Sequence, residues 1–459
     1  MPPPLVPPSG LVQVAGGVEG GRAAVRPIWF DAFLVGVIAL AVFAATAQYH
    51  DPLHNDAHAT AVAAWQLGHH GNATLTAFRG QFPWLYAVDG RDVTNRLPGT
   101  IFWAAPFYAL LGTSHFPPIY PSAIAAVVAS AVAIGLAFAL CCRLVPRSQA
   151  AAAALALAFA TGTWTVSAKE LWTHGPAQAA VLMTVLCCSH RRWLAAGIPA
   201  GFAILIRPHL GVIAVVLGVA AAIRERSARP LLISVGSAIG LWILLLYNHA
   251  VWGRWTVFGG YADKSQASVH ALAEFGVGSV GTFVSPERGV LVMTPALLLL
   301  LPGCRAAWRV APWWVRSATV SAIAYVAVQI WVSRFSGGDG FYSYRTPLEG
   351  LTLSVPLLTL AWREWTSTTR VRRTAFAGLA AASVAFHAFG AIVNWVPGGP
   401  NHSPWKTFMP FDLARHIGGV QTAGWLCAAV AAVATSATLT WRAGVRVPAA
   451  PEPQGAMTA

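Results

Sequence analysis

Charge is what this sequence has least of. Only 10% of its 459 residues are charged, where a soluble protein carries about 25%, while 56% are hydrophobic and the mean hydropathy is +0.57. That shortage excludes a string of soluble domains, which the length alone would allow, and leaves one polytopic membrane domain. Lysine is nearly missing: of 30 basic residues only Lys169, Lys264 and Lys406 are not arginine. The six cysteines (Cys141, Cys142, Cys187, Cys188, Cys304 and Cys427) lie within or at the ends of apolar runs. Their placement argues against a disulfide framework and against a Cys-ligated zinc site. There is no HExxH, and neither a P-loop nor a GxGxxG in a strand–helix context, so motif supplies no nucleotide site. No internal repeat or inverted symmetry is legible.

What is abundant is apolar sequence. A helix needs about 20 mostly apolar residues to cross a bilayer. Runs near 29–47, 121–142, 149–166, 176–188, 194–206, 209–223, 231–251, 289–303, 313–332, 348–362, 375–396 and 419–441 predict about twelve such helices. A further run, 97–113, contains Pro98 and Pro106 and is decided by charge. If it does not cross, one face collects Arg22, Arg26, Arg143, Arg147, Arg191, Arg192, the arginines of 224–229, 305–316 and 363–373, Arg442 and Arg446. That face carries 18 basic and five acidic residues, and the other face 12 basic and 11 acidic. Arginine-rich loops are the cytoplasmic ones. Both termini are therefore expected in the cytoplasm, and 97–113 as a helix lying in or dipping from the outer face. The net charge of +14 records orientation and does not point to nucleic acid.

The expected organisation follows. Residues 1–28 and 442–459 are Pro/Gly-rich or Pro/Ala-rich cytoplasmic tails, and the first span is expected to be an uncleaved anchor because the N-terminus lacks a basic n-region followed directly by a cleavable apolar run. Residues 29–251 form one transmembrane module that includes the first outer loop, 48–120. A large outer loop, 252–287, precedes the C-terminal helices of 288–441.

Titratable groups gathered at one interface mark the working side, and here they gather in the long outer loops. The densest stretch follows the first span: Tyr49-His50-Asp51-Pro52-Leu53-His54-Asn55-Asp56-Ala57-His58, opening an amphipathic helix that ends near Gly71. A carboxylate such as Asp56 at the membrane–water boundary can take a proton from an alcohol. It can equally be the N-cap of that helix.

Asp56, the ATAVAAWQLGHHG helix and RLPGTIFWAAPFYALLG lead a series of blocks: AILIRPHLGV, LLLYNHAVWGRWTVFGGY, FVSPERGVLVMTP and GGDGFYSYRTPLEGL. In this order and on one face they resemble the GT-C class of integral membrane glycosyltransferases, near the bacterial relatives of dolichyl-phosphate-mannose mannosyltransferases. The resemblance implies an all-α GT-C-like fold with juxtamembrane helices in the first outer loop. It implies inverting transfer of a sugar from a polyprenyl-phosphate donor in the cell membrane; mannose and arabinose are suggested only by the Arg- and Ala-rich composition of a GC-rich coding genome, not by any residue. The acceptor would be a hydroxyl of an envelope glycan, glycolipid or protein on the outer face.

It makes Asp56 the general base. With Ala57 where many members carry a second acid, Asp56 acts without an adjacent carboxylate or with Asp51 as its helper, and His174 is a further catalytic candidate. The leaving phosphate needs fixed positive charge, for which Arg207, Arg288, Arg345, Lys169 and Arg96 are the outward candidates. The plainer alternatives are an interfacial anchor for Arg207, a pair with Glu287 for Arg288 and a pair with Glu170 for Lys169.

The chemistry calls for no nucleotide cofactor. A divalent cation is the one candidate ion, with His54 and His58 four residues apart and Asp56 between them; solvated groove histidines are the alternative. A transporter or flippase of a lipid-linked or small substrate is the competing reading. It predicts ionisable groups at mid-span and two related halves, whereas the span interiors here are mostly Ala, Val and Leu.

Overall fold

The computed structural model describes residues 27–52, 54–113, 115–261, 272–333, 335, 341–393 and 403–410. The expected span 419–441, most of both tails, and Arg22, Arg26, Arg442 and Arg446 lie outside the described residues. Among the described residues, six helices are long and apolar enough to cross a membrane: Ile28–Thr46, Tyr120–Cys141, Pro208–Glu225, Arg229–Trp252, Trp313–Val332 and Arg370–Ile392. We label Ile28–Thr46 α1, Asn55–His70 α2, Pro98–Leu111 α3, Tyr120–Cys141 α4, Arg147–Phe159 α5, His174–Ser189 α6 and Trp193–Ile206 α7. Gly211–Glu225 is α8 and Ile233–Trp252 is α9. The protein is thus an all-α multi-pass membrane protein with one small hairpin.

Two of the expected spans are interrupted. The 289–303 run breaks into the single turns Val290–Met293 and Leu297–Leu300, because Pro295 and Pro302 lack the N–H that a continuous helix needs. The 149–166 run stops at Phe159 and restarts as a π-turn at Thr163–Ser167.

The core sits around α4, whose most apolar stretch is 78% buried, against 22% for α1. Trp29, Phe33 and Ile38 of α1 are exposed, as suits a lipid-facing helix. Lipid gives no hydrophobic drive to bring helices together, so close contact depends on small residues. Gly197 and Gly201 of α7 meet Gly236 and Gly240 of α9; a Cβ on Gly201 would stand 2.4 Å from the Gly236 carbonyl oxygen.

Arginine-rich loops meet at one end of the bundle. Arg147 pairs with Asp31 at 2.5 Å, Arg191 with Glu225 at 3.3 Å, and Arg363 donates to the Leu144 carbonyl at 2.6 Å. The other end holds α2, α3 and the loops that carry the candidate site. Helix α3 has 14 residues, or roughly 21 Å of helix against a hydrocarbon core of about 30 Å. It packs across α2 at Gly68, where a Cβ would be 2.5 Å from the Ala105 carbonyl oxygen. Between these helices in the chain lies an antiparallel hairpin of β1 (Leu85–Val88) and β2 (Arg91–Thr94), a departure from the expected all-helical outer loop. Asp89 and Gly90 close it with φ of 48° and 79°, the left-handed pair that a tight two-residue turn requires.

Candidate active site

Asp56 is the second residue of α2, and it is not the cap. His54 caps the helix, its Nδ1 accepting from the Asp56 backbone N–H at 2.9 Å. The Asp56 carboxylate is therefore available to side chains. Oδ1 lies 2.8 Å from Arg96 Nη1 and Oδ2 lies 3.5 Å from Arg345 Nη1. Burial by itself would raise the Asp56 pKa, but Arg96, Arg345 and His54 outweigh it and hold the carboxyl below its ordinary value.

Both arginines are placed by local structure. Strand β2 runs directly into Asn95-Arg96, and the Asn95 Oδ1 accepts from Arg96 Nε at 2.8 Å and Nη2 at 2.6 Å. Gly99 lets α3 press on the end of α7, where a Cβ would meet the Ile206 nitrogen at 2.5 Å. The Arg345 guanidinium lies 4.4 Å from the Trp172 ring and 4.8 Å from the Phe341 ring. On its other side Trp172 faces His54 at 4.5 Å between ring centres. Tyr261 completes the cluster, with Arg96 lying 5.1 Å from its ring. Burial pushes its phenol up to about 12, Arg96 opposing and Asp56 adding to the rise, so it is a neutral neighbour.

Arg207 anchors the adjoining layer. It donates through Nε to Thr173 Oγ1 at 3.0 Å, through Nη1 to Tyr325 OH at 3.1 Å, and through Nη2 to His174 Nε2 at 3.1 Å. Because Nε2 accepts, His174 carries its proton on Nδ1 and donates it to Glu349 Oε1 at 2.9 Å. Tyr325 donates to Glu349 Oε2 at 2.8 Å. His174 and Glu349 are wholly buried. His174 thus joins Arg207 to Glu349 within a buried network.

The remaining sequence candidates divide by exposure. Side chains of Asp56, Arg96, Arg345 and Arg207 keep 31, 13, 15 and 16% of their surface open, whereas Arg288 keeps 1%. Arg288 pairs with Glu287 and donates to the carbonyls of Phe341 and Ser343. Lys169 is also buried, its Nζ donating to Thr46 O at 2.9 Å and Ala391 O at 2.6 Å. Those are carbonyls at helix C-termini, where a cation is favoured by the helix dipole. Asp51 is exposed, and the contacts joining Asp56 to its arginines do not include it. The His58 ring packs edge-on against Phe82 and Trp84. Among the described residues, no three His, Cys, Asp or Glu side chains converge as a metal site.

Glu349, Tyr325 and Tyr261 were missing from the sequence candidates. Glu349 stands inside the YRTPLEGL block, and a carboxylate opening an apolar span was the signal that could have found it. Tyr325 lies within an apolar run and gave no comparable signal. A cavity of 370 Å³ lies among α1, α5 and the later helices, lined by residues such as Val42, Leu155, Leu297, Leu351 and Thr294.

No protein-family model matches the chain, and no curated protein matches it in sequence. Among solved structures it is similar to ArnT from Cupriavidus metallidurans bound to undecaprenyl phosphate, with a TM-score of 0.50 and 14% identity over 91% of this chain and 76% of that one. It is similar to the same protein in the apo state, with a TM-score of 0.50 and 16% identity over 91% and 75% of the two chains. At such identity the likeness is one of fold: the chain has the fold of ArnT.

Proposed function

We propose that this protein is an inverting membrane glycosyltransferase that moves a sugar from a polyprenyl-phosphate donor to a hydroxyl on the outer face of the cell membrane. One observation carries the reading: the Asp56 carboxylate lies between Arg96 and Arg345, all partly open, in a fold shared with an ArnT seen bound to undecaprenyl phosphate. In the proposed step Asp56 takes the acceptor's hydroxyl proton as that oxygen attacks the anomeric carbon opposite the leaving group. The bond from the anomeric carbon to the phosphate oxygen breaks, and its electron pair leaves with the polyprenyl phosphate. Arg96 and Arg345 stabilise that charge through charge-assisted hydrogen bonds, and Arg207 adds its field from the next layer. The 370 Å³ cavity suits the apolar chain of the donor, and Thr294 on its wall bonds Tyr344, the neighbour of Arg345.

Mannose and arabinose are the candidate sugars, and an envelope glycan, glycolipid or protein the candidate acceptor. The charge asymmetry of the loops supports twelve spans with both termini cytoplasmic and the site outside. Purified donor and a membrane-impermeant hydroxyl acceptor, supplied to right-side-out vesicles, test the proposal. The wild type is expected to transfer sugar and Asp56→Asn to lose about 10²–10⁴-fold in kcat, the range of a general base. Full activity in Asp56→Asn removes it as the base, and transfer seen only in inverted vesicles overturns the sidedness. No transfer from any lipid-linked donor, with uptake or lipid translocation instead, favours the transporter or flippase reading.

A further inference from the structure

We propose that Arg288 is a positioning residue, which with Glu287 clamps the 341–347 loop so that Arg345 faces Asp56. The proposal rests on the role given to Arg345 above. A buried ion pair is costly to form unless its remaining donors and acceptors find partners, and this pair is almost wholly buried. Arg288 Nε lies 2.5 Å from Glu287 Oε1. Its Nη1 donates to Phe341 O at 2.7 Å and to Ser343 O at 3.0 Å. One guanidinium therefore holds two carbonyls of the loop, with its plane 4.0 Å from the Phe341 ring. The same ring supports Arg345 at 4.8 Å, so both guanidiniums, the clamping one and the working one, lie against Phe341.

The loop needs such a clamp. Ser343 has φ of 70°, a left-handed conformation that a residue with a Cβ keeps only where its surroundings hold it. The far side of the loop is fixed independently. Tyr344 OH and Thr294 Oγ1 are 2.7 Å apart, and the Tyr344 carbonyl oxygen lies where a Cβ on Gly162 would be 2.5 Å away. Arg345 is thus carried on a short segment gripped from two sides. Lysine, a point charge without the planar fork, can replace only part of the Arg288 grip.

The full-length protein in lipid nanodiscs, as wild type, R288K and R288M, is compared by hydrogen exchange and by donor transfer. We expect amide exchange in 341–347 to rise about tenfold in R288M and less in R288K, with α4 unchanged, since charge-assisted bonds to two carbonyls are lost. The KM for polyprenyl-phosphate sugar should rise about tenfold with a smaller change in kcat. R288M combined with R345K should lose little more than R345K alone, because the two act on one contact. Unchanged exchange in 341–347, or an additive double variant, overturns the proposal. If the wild type transfers no sugar, the enzymatic reading fails while the exchange comparison still decides the clamp. Should R288M not fold, R288K alone decides by the same exchange and KM comparison.

Discussion

At Asp56 two demands conflict. The cations that keep the carboxylate ionised also weaken it as a base, since Arg96 and Arg345 hold its pKa down against the opposing effect of burial. In the proposed step a donor phosphate between the same arginines would resolve the conflict: it would share their charge and bring negative charge of its own, raising the proton affinity of Asp56 when a base is needed. The sign follows for the pH profile. As the proposed base Asp56 has to be deprotonated, so activity is expected to fall as pH drops through its pKa. In kcat/KM, which reports the free enzyme, that acid limb should lie below the ordinary aspartate range, and in kcat, which reports the donor complex, it should lie higher. Arg345→Met removes one positive neighbour and should move the kcat/KM limb upward. A limb that Arg345→Met leaves in place would contradict this account of Asp56.

The fate of the other candidates at this scale shows what sequence can and cannot reveal. Arg288 and Arg345 look alike as arginines in outer loops at span ends. One is buried against Glu287 and two carbonyls, the other remains partly open beside Asp56. His174 and Glu349 are 175 residues apart, so no local pattern joins them. The acidic residue after the first span was legible because its setting is local; the layer behind it is tertiary and was not.

Among the elements, the helix contact of α7 with α9 has a direct consequence for the site, because α7 ends at Arg207. Gly201 and Gly240 lie so close that a Cβ on Gly240 would be 2.3 Å from the Gly201 carbonyl oxygen. Gly201→Ala should cost about 1–3 kcal/mol by overpacking and weaken donor affinity by shifting Arg207. Gly378→Ala, at a helix position with nothing within 4 Å of the added Cβ, serves as control and should be neutral or slightly stabilising. Thermal unfolding in detergent together with the donor KM checks both. Equal behaviour of the two variants would count against the tight α7–α9 contact.

Helix positions were legible from apolar length alone, since crossing a bilayer demands it. The breaks at Pro295 and after Phe159 were less so: hydropathy does not register a proline or a π-turn within an apolar run. The β1–β2 hairpin did carry a readable signal, Asp89-Gly90 between two four-residue strands, but it lay within a loop read only for its charges.

For the whole molecule, the scarcity of charge is what makes the arrangement readable. With so few ionisable groups, those on the arginine-rich end pair loop to loop, such as Arg147 with Asp31 and Arg191 with Glu225. At the opposite end, the pairs engage carboxylates around a partly open cleft. That division separates the cations into three groups by the work they do. Arg96 and Arg345 meet Asp56, Arg207 is held behind them by His174 and Tyr325, and Arg288 and Lys169 bind backbone carbonyls.

The central claim is that the open arginines beside Asp56 receive the donor's phosphate, and an experimental structure of the protein with bound polyprenyl phosphate tests it most directly. The account predicts the phosphate oxygens within hydrogen-bond reach, about 2.7–2.9 Å, of Arg96 and Arg345, with Asp56 facing the departing side. A phosphate bound at the arginine-rich end, or held by Arg288 or Lys169 after these leave their carbonyl partners, would contradict it.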